Sequence, residues 1–197
     1  MLIHEKGPFV RGSILLISFL VLFCVLLTPI MRDEKGNHLT GLQYADNVFN
    51  ELSKGSSYFI PSVREHVKTV EKVNVKVTVT MKKAELAETA VQVLTKAGMT
   101  ASADGAKVSY EGNLAAMLNA ATTDADSLYH NDAATVSARY DGTHALKAAA
   151  AWWYVLSPSI KELQKQRLIA EAQVVDQVLR RAVEPGNNFY SVEPVKV

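Results

Sequence analysis

Between Ser13 and Met31 the chain reads SILLISFLVLFCVLLTPIM, nineteen residues without a charge. As a helix, such a stretch spans roughly 28 Å, against roughly 30 Å for a bilayer's hydrocarbon core. A buried globular helix rarely continues that far without a polar stripe. The stretch therefore predicts a transmembrane anchor. Pro29 falls near its end, where a lost backbone bond meets the interface. The run closes on Leu27, Thr28, Pro29, Ile30 and Met31 before Arg32, so no small-residue cleavage site follows it. Cys24 is preceded by bulky Phe23, and apolar residues continue beyond it, which does not suit a lipoprotein cysteine. The expectation is an uncleaved signal-anchor.

Lys6 and Arg11 flank one side of this stretch, and Arg32 and Lys35 the other, so the basic counts are tied. A short basic tail before a first apolar helix usually stays inside. Residues 1–12 are thus expected in the cytoplasm of a bacterial-type inner membrane, with residues 13–31 as the anchor and the rest periplasmic. That remainder carries nineteen basic and nineteen acidic residues. Cys24, the one cysteine, lies inside the anchor, which leaves a cysteine-free domain suited to an oxidising compartment.

Composition narrows the class further. The 197 residues are 48% hydrophobic and 21% charged, with a net charge of +1. That is too apolar and too neutral for a disordered chain. Ten Gly and six Pro exclude collagen, and a single Cys excludes a disulfide scaffold. Bulk charge gives no reason to expect nucleic acid as a partner.

Residues 32–72 read as a helical juxtamembrane connector. Leu42, Ala45, Val48, Phe49 and Leu52 recur at helical spacing, with Gly55 as a stop, and Val63, His66, Val67 and Val70 suggest a second helix. From Val73 to Met81 valines alternate with polar residues, which predicts a half-buried strand. Lys83–Ala97 forms an amphipathic pattern that Gly98 stops. Met99, Ala101 and Ala103 alternate, Asp104-Gly105 signals a type I′ hairpin turn, and Ala106, Val108 and Tyr110 alternate in return. Asn113 caps a helix carrying Leu114, Met117, Leu118 and Ala121. Ala134, Val136, Ala138 and Tyr140 alternate again before Asp141-Gly142.

The order over 73–141 is β-α-β-β-α-β, the ferredoxin-like pattern, with a four-stranded antiparallel sheet and two helices on one face. The fold class is α+β. Residues 142–184 predict a helical pair: one helix over His144–Leu156, and a second that Pro158 begins and that runs to Val183. The second has a seam of Leu168, Ala172, Val175, Leu179 and Ala182 at heptad steps. Residues 185–197 read as an irregular tail, with Phe189 and Tyr190 as anchors.

No catalytic motif is present: no G-x-S-x-G, Walker loop, H-E-x-x-H or C-x-x-C. His130, Asp132 and His144, with Asp124 and Asp126 upstream, are the one group that could converge on a cation. Their spacing matches no compact ligand set, and Asp124-Ala-Asp126 lacks the glycine and terminal glutamate of a calcium loop. Lys82, Lys83 and Lys96 are offset by Glu85 and Glu88. No metal, cofactor or catalytic residue is expected, and the chain is read as a non-enzyme.

Trp152-Trp153-Tyr154 is the most informative cluster. Three consecutive aromatics point around a helix and cannot all face one core. At least one should meet a membrane interface, a partner or a neighbouring domain. The predicted contact residues are Trp152, Trp153, Tyr154, Leu168, Val175 and Leu179. The helix bearing the last three packs either on its own sheet, whose open face is available to it, or on another chain. In layout, Ser13–Tyr140 is similar to the bitopic ferredoxin-like assembly proteins of type IV pilus and type II secretion platforms. The similarity is one of element order, carried by no residue motif, and the C-terminal helices depart from it. The expected function is a single-pass interaction subunit of a membrane complex, partnered by other membrane proteins or by its own copies. The alternative is a small-ligand or signal-sensing module acting through a partner span.

Overall fold

The computed structural model of the chain describes residues 6–33 and 36–193. The protein is mixed α+β and 67% helical, with two small sheets and one N-terminal apolar helix. Its packing resolves into two compact units, one holding the residues up to Ser53 and the other spanning Lys54–Glu193.

The first unit opens with α1 (Lys6–Leu27), which buries none of its residues and is long and apolar enough to cross a membrane. Thr28 closes it, donating from both its backbone N–H (3.1 Å) and its Oγ1 (2.6 Å) to the Val25 carbonyl. The charged stretch that follows is a small hairpin of β1 (Met31–Arg32) and β2 (His38–Leu39), paired antiparallel. Asp33 pins its turn by accepting from the Asn37 backbone at 2.7 Å and its side-chain amide at 2.9 Å. Helix α2 (Gly41–Ser56) starts with a reciprocal capping box. The Gln43 N–H donates to Thr40 Oγ1 at 3.2 Å, and the Thr40 N–H donates to Gln43 Oε1 at 2.9 Å. Gly55, expected as a stop, lies inside the helix.

In the second unit α3 (Ile60–Lys68) precedes β3 (Asn74–Thr80), whose burial alternates residue by residue as its sequence does. A short 3-10 turn leads into α4 (Ala87–Lys96). Gly98, at φ +84°, ends α4 in a Schellman motif: Met99 N–H donates to the Leu94 carbonyl and Gly98 N–H to that of Thr95, both at 3.0 Å. Strands β4 (Thr100–Asp104) and β5 (Lys107–Asn113) complete an antiparallel sheet of order β3-β5-β4. Asp104 pairs with Lys107, so the turn centres on Gly105-Ala106 rather than Asp104-Gly105. Only Gly105 has positive φ there, which is the type II′ requirement and not the expected type I′.

One face of this sheet carries Val75, Val77, Val79, Val108 and Tyr110, all buried. The other face keeps cross-strand polar pairs, Lys76 Nζ with Glu111 Oε2 at 2.8 Å and Thr78 Oγ1 with Ser109 Oγ at 2.9 Å. That open face therefore stays polar, and the helices gather on the apolar one.

The expected fourth strand does not form. After α5 (Leu114–Tyr129), residues Ala133–Arg139 make a short helix, α6. Asp132 caps it, Oδ1 accepting from Thr135 N–H at 3.0 Å. Val136 and Tyr140 are buried while Ala134 and Ala138 are exposed, so the buried pair has i, i+4 spacing and the alternation is broken. The sheet thus has three strands, and β3 is left as an edge. Gln166 Nε2 reaches that edge and donates to the Lys76 carbonyl at 2.9 Å.

The C-terminal helices also divide differently from expectation. Helix α7 (Ala145–Lys165) runs through Pro158, and the chain breaks instead at Gln166–Leu168. The break is a second Schellman motif. Leu168 N–H and Arg167 N–H donate to the Leu163 and Gln164 carbonyls, both at 3.0 Å, with Arg167 at φ +64°. Beyond it lie α8 (Ile169–Val178), a π-helical stretch (Leu179–Val183) and α9 (Glu184–Asn188). Residues read as the start of an irregular tail are therefore helical to Asn188.

Helix α7 lies at the centre of this unit, burying Ala148, Ala151, Trp152, Val155, Leu156 and Leu163. Ser159 on it donates its hydroxyl to the Val155 carbonyl at 2.6 Å, which leaves its oxygen to accept from the Tyr110 hydroxyl at 2.7 Å. Burial pushes the Tyr110 phenol up from 10.0 to about 12, against a small opposing effect from Ser159.

A left-handed arginine is strained by about 1 kcal/mol relative to glycine. Arg167→Gly should therefore raise the urea midpoint of the full chain in detergent, and an unchanged or lower midpoint would contradict the assignment. For Tyr110 the neutral phenol is the favoured folded form. Its stabilisation, about 3 kcal/mol for a rise of this size, is present below pH 10 and lost as the pH climbs through about 12. Phenolate absorbance should show the buried tyrosines Tyr110, Tyr129 and Tyr140 ionising together with unfolding, and Tyr110→Phe should remove one tyrosine's share of that component.

Candidate functional site

The six sequence-predicted contact residues separate into two groups. Trp152, Val175 and Leu179 are buried within the 54–193 unit, whereas Trp153, Tyr154 and Leu168 are partly exposed. The heptad seam of 168–182 is thus mostly occupied inside the chain, packing against α7, α5 and α3.

Trp152 is 1% exposed and points to a buried carboxylate. Its Nε1 donates to Asp124 Oδ2 at 2.7 Å. Asp124, also 1% exposed, accepts further from Arg139 Nη1 and the Tyr140 hydroxyl. Burial raises the Tyr140 phenol, opposed by the Trp152 contact and the Arg139 charge. One carboxylate therefore joins α5, α6 and α7, and its role is structural.

Trp153 and Tyr154 face the other way, into a groove of about 430 Å³. Ala149, Ala150, Trp153 and Tyr154 of α7 form one wall; Val183, Glu184, Asn187 and Asn188 form the other. Small alanines leave the space, and the two rings meet edge-to-face at 5.0 Å between centroids. Glu184 Oε1 accepts from Trp153 Nε1 at 3.0 Å and fixes the indole. Lys83 Nζ lies 5.6 Å from the Tyr154 ring centre, a cation–π contact. The far wall depends on a close approach of backbones. A Cβ on Gly186 would lie 2.6 Å from the Ala125 carbonyl oxygen and 2.9 Å from its Cα, so α9 can sit on α5 only through glycine. The groove offers an aromatic edge, a carboxylate and two exposed amides, which suits binding.

Glu184, Asn187 and Asn188 are absent from the sequence-predicted contacts, because Glu184 reads as the last residue of the helical pair and the two asparagines as tail. Pro185 at the start of α9 was the available signal, since proline is favoured in a first helical turn.

The polar residues singled out in the loop after α5 serve different partners. Asp126 accepts from the Tyr58 hydroxyl at 2.9 Å and Arg64 Nη2 at 3.3 Å, and lies 3.2 Å from His130 Nδ1. Burial first, and then this carboxylate, raise the Tyr58 phenol. Asp132 caps α6, which lowers its pKa. His144 stands at the N-terminus of α7 without a side-chain cap bond. Among the described residues no three His, Cys, Asp or Glu side chains come close enough together to hold one metal ion. Lys96 pairs with Asp141 Oδ1 at 3.1 Å.

Lys54 is the one buried lysine among the described residues. Its Nζ donates to the Val192 carbonyl at 2.5 Å and the Phe189 carbonyl at 3.2 Å, while Tyr129 donates its hydroxyl to the Lys54 carbonyl. Asn131 joins them, donating to the Val192 carbonyl at 3.0 Å and accepting from Ser191 N–H at 2.7 Å. Burial lowers the Lys54 pKa, partly offset by Glu193.

No protein-family model, curated protein or solved structure matches the chain.

Removing one member of a buried charged pair typically costs about 3 kcal/mol or more. Asp124→Asn should therefore lower the thermal midpoint sharply and raise Trp152 solvent accessibility to a fluorescence quencher. Asp126→Asn, at a more exposed carboxylate, should cost about 1 kcal/mol or less. Equal losses would show that Asp124 is not the keystone.

Proposed function

We propose that the chain is a single-pass, membrane-anchored, non-enzymatic interaction or assembly subunit of an inner-membrane complex, with its α+β unit outside the cytoplasm. The observation that carries the reading is the pairing of an apolar helix that buries none of its residues with a compact unit whose conspicuous concavity is an aromatic groove. The titratable side chains nearest to a reactive arrangement, Asp124 and Asp126, are engaged by intrachain partners. Trp153 and Tyr154 are partly exposed aromatics at the groove, the residue types that concentrate energy at protein contacts. A partner membrane protein seated on Trp153 and Tyr154 is the contact we assign. The basic tail at Lys6 and Arg11 supports a cytoplasmic N-terminus.

A second reading rests on the groove volume. About 430 Å³ falls within the range of small-ligand sites. In that case the unit senses a ligand and signals through a partner span.

The test is the native mass of the protein extracted from its own membranes in mild detergent, with co-purifying chains identified. A discrete complex that Trp153→Ala dissociates, with the circular dichroism unchanged, is the expected result. A free monomer, or a complex indifferent to both Trp153→Ala and Tyr154→Ala, would overturn the assigned contact. A monomer whose Trp153 fluorescence responds to a small-molecule extract would favour sensing.

A further inference from the structure

Helix α2 presents an apolar stripe that nothing in its own unit covers. Leu42 is 54%, Phe49 68% and Leu52 55% exposed, and Ala45 and Val48 lie between them on the same face. The opposite face is polar, with Asn50 Nδ2 donating to Asp46 Oδ2 at 3.1 Å. Exposed apolar patches of this kind mark a contact. The location of the stripe identifies the contact. The start of α2 sits against the end of α1, where the Cβ position of Gly41 lies 3.0 Å from Leu26 Cδ2 and 3.3 Å from the Leu26 carbonyl oxygen. The hairpin β1–β2 returns the chain to this point, and His38 Nδ1 lies 3.1 Å from the Pro29 carbonyl, holding the return in place. The apolar stripe therefore begins at the level where α1 ends.

We infer that α2 lies in the lipid–water interface of the membrane that α1 spans, with Leu42, Phe49 and Leu52 in the acyl boundary. This rests on the reading of α1 as a membrane span. Two features favour lipid over a second copy of the helix. The stripe covers fewer than two heptads, whereas coiled coils are sustained over three or four. It is also widened by Val48 beyond the narrow seam a coiled coil uses. Residues 41–53 carry Asp46 and Glu51 and no Lys or Arg. Attraction to anionic headgroups therefore plays no part, and neutral lipid should suffice, through apolar burial alone.

The test uses the full chain with Cys24→Ser, carrying one cysteine at a time through Phe49→Cys, Asn47→Cys or Leu20→Cys. Each is labelled with an environment-sensitive fluorophore and reconstituted in phosphatidylcholine vesicles. The expected result is blue-shifted emission at position 49, quenched by lipid brominated near the headgroup, and water-like emission at 47. Position 20 should be quenched by lipid brominated deep in the chain. Water-like emission at both 47 and 49, with 20 still quenched, overturns the inference and leaves the span intact. Unquenched emission at 20 overturns the span and this inference with it. Emission at 49 that is blue-shifted, indifferent to bromine and lost as protein is diluted in lipid shows a second copy on the stripe, and overturns the lipid assignment.

Discussion

The Asp124 carboxylate is the point on which the second unit depends. It is almost fully buried, and a buried charge is tolerated only when its lone pairs are used. Arg139 and Tyr140, adjacent at the end of α6, and Trp152 of α7 use them. The same requirement explains why 134–140 is not a strand. In a strand, Arg139 and Tyr140 would point to opposite faces, and both could not reach one carboxylate. At the end of a short helix they do. The local signals agree, because Asp132 is a good cap and alanines favour helix.

Losing the fourth strand changes what the sheet presents. The strand order β3-β5-β4 leaves β3 at an edge, where an exposed ladder invites pairing with another chain. The outward-facing polar row Asn74, Lys76, Thr78 and Thr80 covers one flank of that edge with hydrophilic side chains. Gln166 occupies an edge carbonyl directly. That bond is available because α7 continues through Pro158 and delivers its C-terminal end to the strand. Proline inside α7 removes a donor to the Tyr154 carbonyl. Ser159, next along, places its hydroxyl on the following carbonyl, that of Val155, and on Tyr110.

Much of the fold was legible where one residue type had one physical use. The alternation in 73–81 required a half-buried strand, Gly98 a left-handed stop, and Asn113 a cap. All three are present, Asn113 Oδ1 accepting from Ala116 N–H at 2.9 Å. Legibility failed where a residue had two uses. Val136 and Tyr140 are four apart, which fits both a strand face and a helix face. Arg167 adopts a glycine-like conformation that its identity conceals. The candidate site was half legible. Consecutive aromatics cannot share one face, and the structure places Trp152 inward and Trp153 and Tyr154 on the groove. The facing wall was hidden, because the π-helical stretch carries the helix past Val183 to Glu184, Asn187 and Asn188.

That π-helical stretch bears on the groove directly. An α-helix continued without it would shift each later residue in rotation and rise. Glu184 would then leave the position from which it holds the Trp153 indole. Such stretches are less favourable than regular helix and persist where surrounding contacts hold them. Here those contacts are Gly186 against the Ala125 backbone on one side and Trp153 on the other. The groove is therefore held open by the backbone register of 179–188 as much as by its side chains. Its shape is set independently of any occupant, which is the condition under which a surface binds without first having to order itself.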